Sequence, residues 1–508
     1  DMKYAKRQLQ AGEVFCLQER VTEKWFAFQI VLVGEEWTSY VVLDYFSDRK
    51  PTREDVRSKY PWKCSMRPLL KDMWNWRGEQ ESGYALTNWF PVSAISLGLY
   101  DVMVNESPRM YGQWPDGNVF RLMERWNQLS QSARQLYRSF NLQDQTQVKI
   151  GTLMTRRAVW GIMDDVLAAA GDFSELDQLP WAQRVVANRD YQELVPFLER
   201  RPLIEYLEWT NHHREELDLR KTNLVELKMG GDSLKRLLLP DSCRILKLEW
   251  PLHPDLQIAC RGEGFDLELW LDLHDHPLPH FLLRRLHALR LFKVSAIDVG
   301  QIAACYPHLS ELVIAGKPGI VVDGSMQSLT QLHDLQKLFI EDLFGFTAND
   351  FPQPGEFQSL YVLSMSSIPK EAGQVLRRLY KNKAADLHIS KLRTSEWLAE
   401  NLNNPFRSWD GREQISAAVF RKATTQWKLL RQSFISVRSL PTEQQIQTAE
   451  EAVRCYTEAF NRLNRRRDFI ETEEREEISA ALEEAVKEIA DLIDVKRLFT
   501  IFDDYRDF

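Results

Sequence analysis

The residues best suited to metal chemistry lie in one short segment, HDHPLPH, which contains His274, Asp275, His276 and His280. Imidazoles two and six residues apart can ligate zinc, and a neighbouring carboxylate can complete or orient the set. Two prolines interrupt this segment, however, and no His-Glu-x-x-His motif accompanies it. We therefore expect a polar loop here rather than a metal site.

Other signatures of catalysis and cofactor binding are missing from the sequence. It contains no phosphate-binding loop, no G-x-G-x-x-G motif and no G-x-S-x-G nucleophile elbow. The adjacent carboxylates Asp164–Asp165 and Asp503–Asp504 would point apart on a helix, whereas general acid–base catalysis needs two groups that converge. We therefore predict a protein that is not an enzyme and that uses neither a cofactor nor a metal.

Short leucine-rich motifs return at a near-constant interval between residues 286 and 390. The middle leucines of LHALRLF, LSELVIA, LQKLFIE, LYVLSMS and ADLHIS are Leu289, Leu312, Leu338, Leu363 and Leu387, which are 23, 26, 25 and 24 residues apart. Units of this length and pattern are typical of leucine-rich repeats, each one strand plus a return segment. Because no single unit can bury its apolar face, the pattern predicts a stacked, curved solenoid.

The leucine motifs upstream follow each other more closely. LDL at 217, LKM at 227, LLL at 237 and LKL at 246 lie 10, 10 and 9 residues apart. The stretch NLVELKMGGDSLKRLLLPDSCRILKLEW (223–250) resembles the compact repeats of secreted enterobacterial effectors, in which two short extended segments and a Leu-Pro turn form a unit of about 20 residues. A pair of β-hairpins, turned at Gly230-Gly231-Asp232 and Pro240-Asp241, is the alternative.

The N-terminal segment has a different pattern. Residues 11–46 alternate apolar and polar side chains in short runs rich in Val, Ile, Phe, Trp and Tyr, which predicts three antiparallel strands. Two further apolar runs, around 84–89 and 92–104, predict the strands that would complete a small five-stranded barrel.

Three motifs in this segment resemble the immunity protein 26 type of domain from bacterial polymorphic toxin systems. They are Gly12-Glu13-Val14-Phe15, the aromatic second strand Lys24-Trp25-Phe26-Ala27-Phe28, and Val41-Val42-Leu43-Asp44-Tyr45. The Trp-rich insertion with Trp62, Trp74 and Trp76 departs from that pattern. The resemblance implies a protein that neutralises a toxin by binding it.

Helical patterns flank the repeats on both sides. Residues 120–140, 151–170 and 181–198 predict helices of a cap over the first repeat. Residues 411–435 predict a basic amphipathic helix, either a solvated face over a packed stripe or a contact for membrane or nucleic acid. Residues 442–465 and 472–493 predict a helical hairpin.

The net charge of −8 comes from one end of the chain. Residues 471–508 contain 5 Lys or Arg and 13 Asp or Glu, and the preceding residues contain 60 of each. The acidic residues at this end either stabilise the N-terminus of a helix or attract a basic partner.

The composition also bounds the cellular context. The six cysteines show no C-x-x-C spacing, which argues against a zinc ribbon and a disulfide framework. The start MKYAKRQLQ lacks the apolar core of a signal peptide, and no run of 18 apolar residues occurs. We therefore expect a cytoplasmic protein.

These patterns together predict an α+β multidomain protein. Its expected parts are a small antiparallel β-barrel-like domain (1–107), a helical cap (108–207), the leucine-rich-repeat solenoid (208–395) and a C-terminal helical domain with an acidic end (396–508).

The expected interface consists of the side chains that flank the core leucines of the repeats. They are Glu226, Lys228, Lys247, Glu249, Arg290, Phe292, Glu311, Val313, Lys337, Phe339, Glu341 and His388, together with Ala288 and Asp386. Mixed charges around a few large apolar groups suit a protein partner, whereas the absence of a basic stripe does not suit nucleic acid.

The sequence thus favours a non-catalytic bacterial immunity protein that binds one cognate toxin and occludes it. A regulatory or scaffold repeat protein that binds an endogenous partner is the alternative. An enzyme, including one that reverses a toxin's modification, is the third hypothesis.

Overall fold

The chain divides into two units, residues 1–392 and 393–508. The structure, a computed structural model, describes residues 4–19, 22–35, 37–57, 82–86, 89–102, 110–111, 114–115, 117, 120, 127–139, 141, 143–465 and 468–508. The Trp-rich insertion predicted at Trp62, Trp74 and Trp76 lies outside these ranges. The predicted division into four domains is finer than these two units and stays a prediction.

The N-terminal residues form a mainly antiparallel sheet. Its strands are β2 (Glu13–Gln18), β3 (Trp25–Val33), β4 (Trp37–Ser47), β5 (Ser82–Leu86), β7 (Ile95–Leu99) and β8 (Met110–Tyr111), and β1 (Tyr4–Lys6) pairs separately with β6 (Trp89–Pro91). The order is β7-β2-β3-β4-β5-β8. The three antiparallel strands predicted within residues 11–46 are confirmed, and closure into a barrel stays a prediction.

This sheet packs its aromatic side chains on one another. Phe15, Phe28 and Tyr40 are fully buried together with Phe90. Gly12, at the entry to β2, has a φ of +88°, and a Cβ there would lie 2.4 Å from the carbonyl oxygen of Tyr100. A glycine is therefore required where the sequence has one.

A parallel sheet of eleven strands occupies the rest of the first unit. Its strands are β11 (Gly161–Ile162), β12 (Arg184–Ala187), β13 (Tyr206–Trp209), β15 (Glu226–Gly231), β17 (Ile245–Leu252), β19 (Glu268–Asp272), β20 (Ala288–Ile297), β21 (Glu311–Val321), β22 (Lys337–Phe344), β23 (Val362–Ser366) and β24 (Asp386–Ser390). They pair in this order, so neighbours in the sheet are successive units of the chain. The predicted parallel strands between residues 286 and 390 are confirmed.

The closely spaced motifs alternate between two sheets. Leu227 and Leu246 lie on β15 and β17 of the large sheet. Leu217 and Leu237 lie on β14 (Glu216–Asp218) and β16 (Arg236–Leu238), which with β18 (Gln257–Ala259) form a second parallel sheet. The prediction of two extended segments per unit is therefore confirmed, and the alternative of two β-hairpins is wrong, because these strands pair in parallel.

The predicted helical cap is wrong over much of its length. Residues 151–170 contain β10 (Leu153–Arg156), paired with β9 (Gln147–Ile150), and then β11 and a short helix. Residues 181–198 contain β12. Val185 and Val186 form a short β-branched run, which favours a buried strand over a helix. The parallel sheet therefore begins at Gly161, well before the predicted start of the repeats.

The helices that can be described in the first unit are short and lie between strands. They are α1 (Arg53–Arg57), α2 (Gln131–Arg138), α3 (Asp164–Ala169), α4 (Leu194–Arg200), α5 (Val299–Cys305) and α6 (Lys370–Tyr380). One continuous core runs along the large sheet and contains the leucines of every strand from β13 to β22. In this core Leu227, Leu269, Leu312 and Leu338 are completely buried.

The second unit is helical. Its helices are α7 (Ser395–Asn401), α8 (Ala417–Val437), α9 (Thr442–Asn464), α10 (Thr472–Val486) and α11 (Val495–Tyr505). The predicted basic helix and the predicted hairpin are thus present as α8 to α10. The second hairpin helix ends at Val486 rather than at residue 493, and α11 was not predicted. No described helix is long and apolar enough to cross a membrane.

Candidate binding face of the parallel sheet

Several strands of the large sheet bury every second side chain and turn the others outward. In β15 and β19 buried residues alternate with partly exposed ones, as the pleat of a strand requires. We call the outward side chains of this sheet the outer face. Because the strands pair in register, outward residues of successive units lie side by side, about 4.8 Å apart.

Twelve of the predicted interface residues lie on strands of this sheet and are exposed at least in part. They are Glu226 and Lys228 on β15, Lys247 and Glu249 on β17, Arg290 and Phe292 on β20, Glu311 and Val313 on β21, Lys337, Phe339 and Glu341 on β22, and His388 on β24. All are partly or largely exposed, and Asp386 is exposed beside them. Ala288 is completely buried, so the expectation that its side chain is exposed on this face is wrong.

Ion pairs join the outward side chains of the first half of the face. The Lys228 ammonium lies 2.9 Å from Glu208 and 2.8 Å from Glu249. Lys247 pairs with Glu226 at 2.6 Å. Burial alone would lower the pKa of Lys228, but the hydrogen bonds that it donates to the two carboxylates raise its pKa above the ordinary value. This half of the face therefore satisfies its charges internally.

Arg290 connects three strands at the middle of the face. Its guanidinium donates to Glu268 on β19 at 3.0 Å and to Glu311 on β21 at 2.5 Å. It also lies 5.4 Å from the ring centroid of Trp270. Lys337 approaches Glu311 from the next strand, at 3.7 Å. Arg290 is thereby held by carboxylates on both neighbouring strands.

Large apolar side chains surround Arg290. Trp270 and Phe292 have ring centroids 5.6 Å apart, and Val313 pairs in register with Arg290 on one side and Phe339 on the other. We call Trp270, Phe292, Val313 and Phe339 the central patch. The Lys247 ammonium lies 4.3 Å from the Trp270 ring. The patch is thus an apolar area bordered by charged groups, the arrangement of interface centres and rims.

Trp270 was missed by the sequence analysis. It lies on β19, in the run LELWLDL, between the motifs at Leu246 and Leu289. The alternation of Leu267, Leu269 and Leu271 was the available signal, because all three leucines are buried.

The histidine-rich segment follows β19 as a loop. His274 and His276 are exposed, and the His276 ring stacks on Trp250 with centroids 3.9 Å apart. Among the described residues, no group of three or more His, Cys, Asp or Glu side chains is placed to hold a metal ion.

A cavity of about 460 Å³ lies between α8 and α9 in the second unit, lined in part by Leu430, Glu451, Ala452, Cys455 and Tyr456. The thiol of Cys455 donates to Glu451 at 3.6 Å. Burial and this hydrogen bond raise the pKa of Cys455, which disfavours the thiolate. A thiol held in this state is a weak nucleophile.

Comparison with known proteins does not assign the chain to a family. No protein-family model and no curated protein matches it. A solved structure that is similar in part is that of a leucine-rich repeat protein of Leptospira interrogans, with 15% identity, a TM-score of 0.18, and coverage of 43% of this chain and 69% of that one. This TM-score does not establish a shared fold.

Proposed function

We propose that this chain is a non-catalytic leucine-rich repeat protein that binds a protein partner on the outer face of its parallel sheet. The observation that supports this most is the central patch, where the aromatic side chains of Trp270, Phe292 and Phe339 are partly exposed on the outer face. Aromatic side chains of this kind, inside a border of paired charges, are the typical anchors of protein interfaces.

The repeated units are the second support for the proposal. Ten successive connections keep the strands parallel and in chain order, as a leucine-rich-repeat solenoid requires. Such an array presents a wide preformed surface on which a protein partner can bind. The expected location of the protein is the cytoplasm.

The narrower form of the proposal is an immunity protein that occludes a cognate toxin. It depends on the resemblance of the N-terminal motifs, which lie on β2, β3 and β4 of one sheet. Co-expression with a toxin that is encoded beside the gene of this chain tests it. An immunity protein should restore growth of the cells. It should bind the toxin in a one-to-one complex and should not turn it over as an enzyme would. A scaffold or regulatory protein would give no protection.

Affinity capture tests the broader proposal. The wild-type chain and the triple variant Phe292→Ala/Val313→Ala/Phe339→Ala are immobilised, and the proteins captured from lysate of the source cells are quantified by mass spectrometry. We expect at least one abundant protein to be lost from the variant. Identical capture by both chains would place the interface elsewhere.

A further inference from the structure

The cavity between α8 and α9 opens on the surface of the second unit. Its lining on α8 comes from Gln426, Leu429, Leu430 and Ser433, which a helix places on one side. Leu430 and Tyr456 are buried at its floor, whereas Leu429 is 53% exposed at its rim. The surface therefore has an apolar depression with a large exposed leucine beside it.

The two helices that border this cavity carry opposite charge. α8 has four cationic residues and no acidic one: Arg421, Lys422, Lys428 and Arg431. α9 has two arginines and four glutamates, a net charge of −2: Glu443, Glu450, Glu451 and Glu458 are the acids. In the part of the chain that the structure describes, the cations of α8 form a single ion pair, that of Arg431 with Glu488. Three cations of α8 are therefore left without a carboxylate partner among the described residues.

This charge pattern suits a second copy of the same chain. An anionic membrane or a nucleic acid would face the glutamates of α9 together with the cations of α8, and like charges would repel. A second copy carries both signs itself, so its α8 can lie on α9 and its α9 on α8. The pair of helices is thus complementary in charge to itself, as an interface with two-fold symmetry requires.

The connection between α8 and α9 decides which residues would meet. The two helices pack on each other and are joined by residues 438–441 alone, so they run antiparallel. Counting outward from this connection places Lys422 level with Glu458, and Leu429 level with the cavity residues of α9. Lys422 lies one turn before Gln426, on the cavity side of α8. A two-fold axis parallel to the helices keeps these levels when it places α8 of one copy on α9 of the other.

We infer that α8 and α9 form a self-association surface, on which a second copy of this chain packs the same two helices. Each Leu429 fills the cavity of the other copy, and each Lys422 pairs with Glu458 of the other copy. Within one chain Glu458 is 46% exposed and lies 3.5 Å from Arg462, so it is accessible to a second cation. The inference goes beyond the proposed function, because it concerns a different surface.

The size of the surface sets the strength of the dimer. A face about 30 Å long and about 20 Å wide on each copy buries about 1,200 Å² in total, the lower limit for specific interfaces. We therefore expect a dimer with a Kd in the micromolar range.

Sedimentation velocity of the full chain between about 1 and 200 µM tests the inference, because dimer formation follows mass action. The wild type should pass from monomer to dimer over this range. Leu429→Glu should weaken the dimer at least about a hundredfold, because it places a charge in each cavity. The matched control is Ile435→Glu: Ile435 is 52% exposed on the same helix but does not line the cavity, so the Kd should stay within about twofold of wild type.

A charge exchange tests the predicted arrangement of the two copies. Lys422→Glu and Glu458→Lys should each weaken the dimer roughly tenfold, because like charges then face each other at both symmetric contacts. An equimolar mixture of these two variants should regain the affinity of the wild type, because the mixed dimer pairs opposite charges at both contacts. A purely structural role of either residue would give no such recovery.

Three results would overturn the inference. The first is a wild-type chain that stays monomeric over the whole range. The second is a dimer that Leu429→Glu does not weaken, or whose two charge variants do not recover on mixing, because such a dimer uses another face. The third is a monomer that binds vesicles of phosphatidylserine and phosphatidylcholine and loses this binding in Leu429→Glu, which would assign the surface to a membrane.

Discussion

Trp270 and Phe292 lie on neighbouring parallel strands with their ring centroids 5.6 Å apart and their planes inclined at 48°. They meet because Asp272 and Phe292 pair in register, which brings the outward side chains of β19 and β20 together. Lys247 and Arg290 both lie over the Trp270 ring. The largest partly exposed aromatic group of the outer face is thus fixed in position before any partner arrives.

Replacement of Trp270 by Ala should weaken partner binding more than it weakens the fold. A preorganised tryptophan at an interface centre typically contributes about 2 kcal/mol or more, which corresponds to roughly thirtyfold in Kd. Isothermal titration of the captured protein measures this. The control is Trp160→Ala, because Trp160 is 50% exposed and directly precedes the first strand of the sheet. An equal effect of both changes would argue against the central patch.

The buried leucines of the parallel strands should contribute most to the stability of the sheet. Leu312 is completely buried whereas its neighbour Val313 is partly exposed. We expect Leu312→Ala to cost about 3 kcal/mol of local unfolding free energy, and Val313→Ala less than about 1 kcal/mol. Native-state hydrogen exchange of peptides from β20 to β22 measures both. Similar costs would mean that the side chains at 312 and 313 do not point to opposite sides of the sheet.

Among the charged residues of the second unit, Arg412 should be the one whose replacement lowers the stability most. Its guanidinium lies 2.7 Å from Glu474, which is only 1% exposed, and 2.9 Å from Glu477. Arg412→Met leaves a buried carboxylate unpaired, so we expect a loss of about 3 to 5 kcal/mol in the stability of this unit. Arg438→Met, which breaks an exposed pair with Asp491, should change the stability much less, because solvent screens exposed ion pairs. Hydrogen exchange of peptides from α8 and α10 distinguishes the two.

The same network makes the second unit sensitive to acid. Burial would raise the pKa of Glu474, but the hydrogen bonds from Arg412 and from the backbone N–H of Glu471 hold its pKa below the ordinary value. A lowered folded-state pKa contributes stability that is complete above the unfolded value, about 4.3, and is lost as the pH falls through the folded one.

We therefore expect wild type and Glu474→Gln to differ in stability at pH 7 and to converge below about pH 4. Urea unfolding of both chains at several pH values, followed through peptides of the second unit, checks this. A difference that persists undiminished at pH 3 would contradict the assigned role of the carboxylate.

The cysteines should differ strongly in reactivity. Burial raises the pKa of the Cys243 thiol to about 12, whereas Cys455 is exposed. Iodoacetamide at pH 8 should label Cys455 at least about tenfold faster than Cys243, because Cys243 reacts only after local opening. Peptide mapping by mass spectrometry gives both rates, and in urea the rates should become equal. Equal rates in the native protein would contradict the buried position of Cys243.

The parallel sheet could be predicted where one leucine marks each unit. Leu289, Leu312, Leu338 and Leu363 are buried in register, so the period in the sequence is the period of the core. The outward positions could be predicted from the positions of these leucines, because a strand turns alternate residues to opposite sides. The strand that contains Trp270 was missed although Leu269 lies 23 residues after Leu246 and 20 residues before Leu289, both within the length of one repeat.

Other features depend on information that a single sequence does not contain. Val185 and Val186 belong to a run too short to distinguish a strand from a helix by its period. Arg412 was predicted as part of a basic helix, but the helix begins at Ala417 and its partner Glu474 is distant in the chain.

The most direct test of the outer face as a binding surface is the dissociation constant of the captured partner for two chains of equal stability. The melting temperatures of the wild type and of Phe292→Ala/Val313→Ala/Phe339→Ala are measured first, to show that both chains are equally folded. The Kd of the partner for each chain is then measured by titration. We predict a Kd at least about a hundredfold weaker for the triple variant. A Kd within twofold of wild type would contradict the proposal that the partner binds this face.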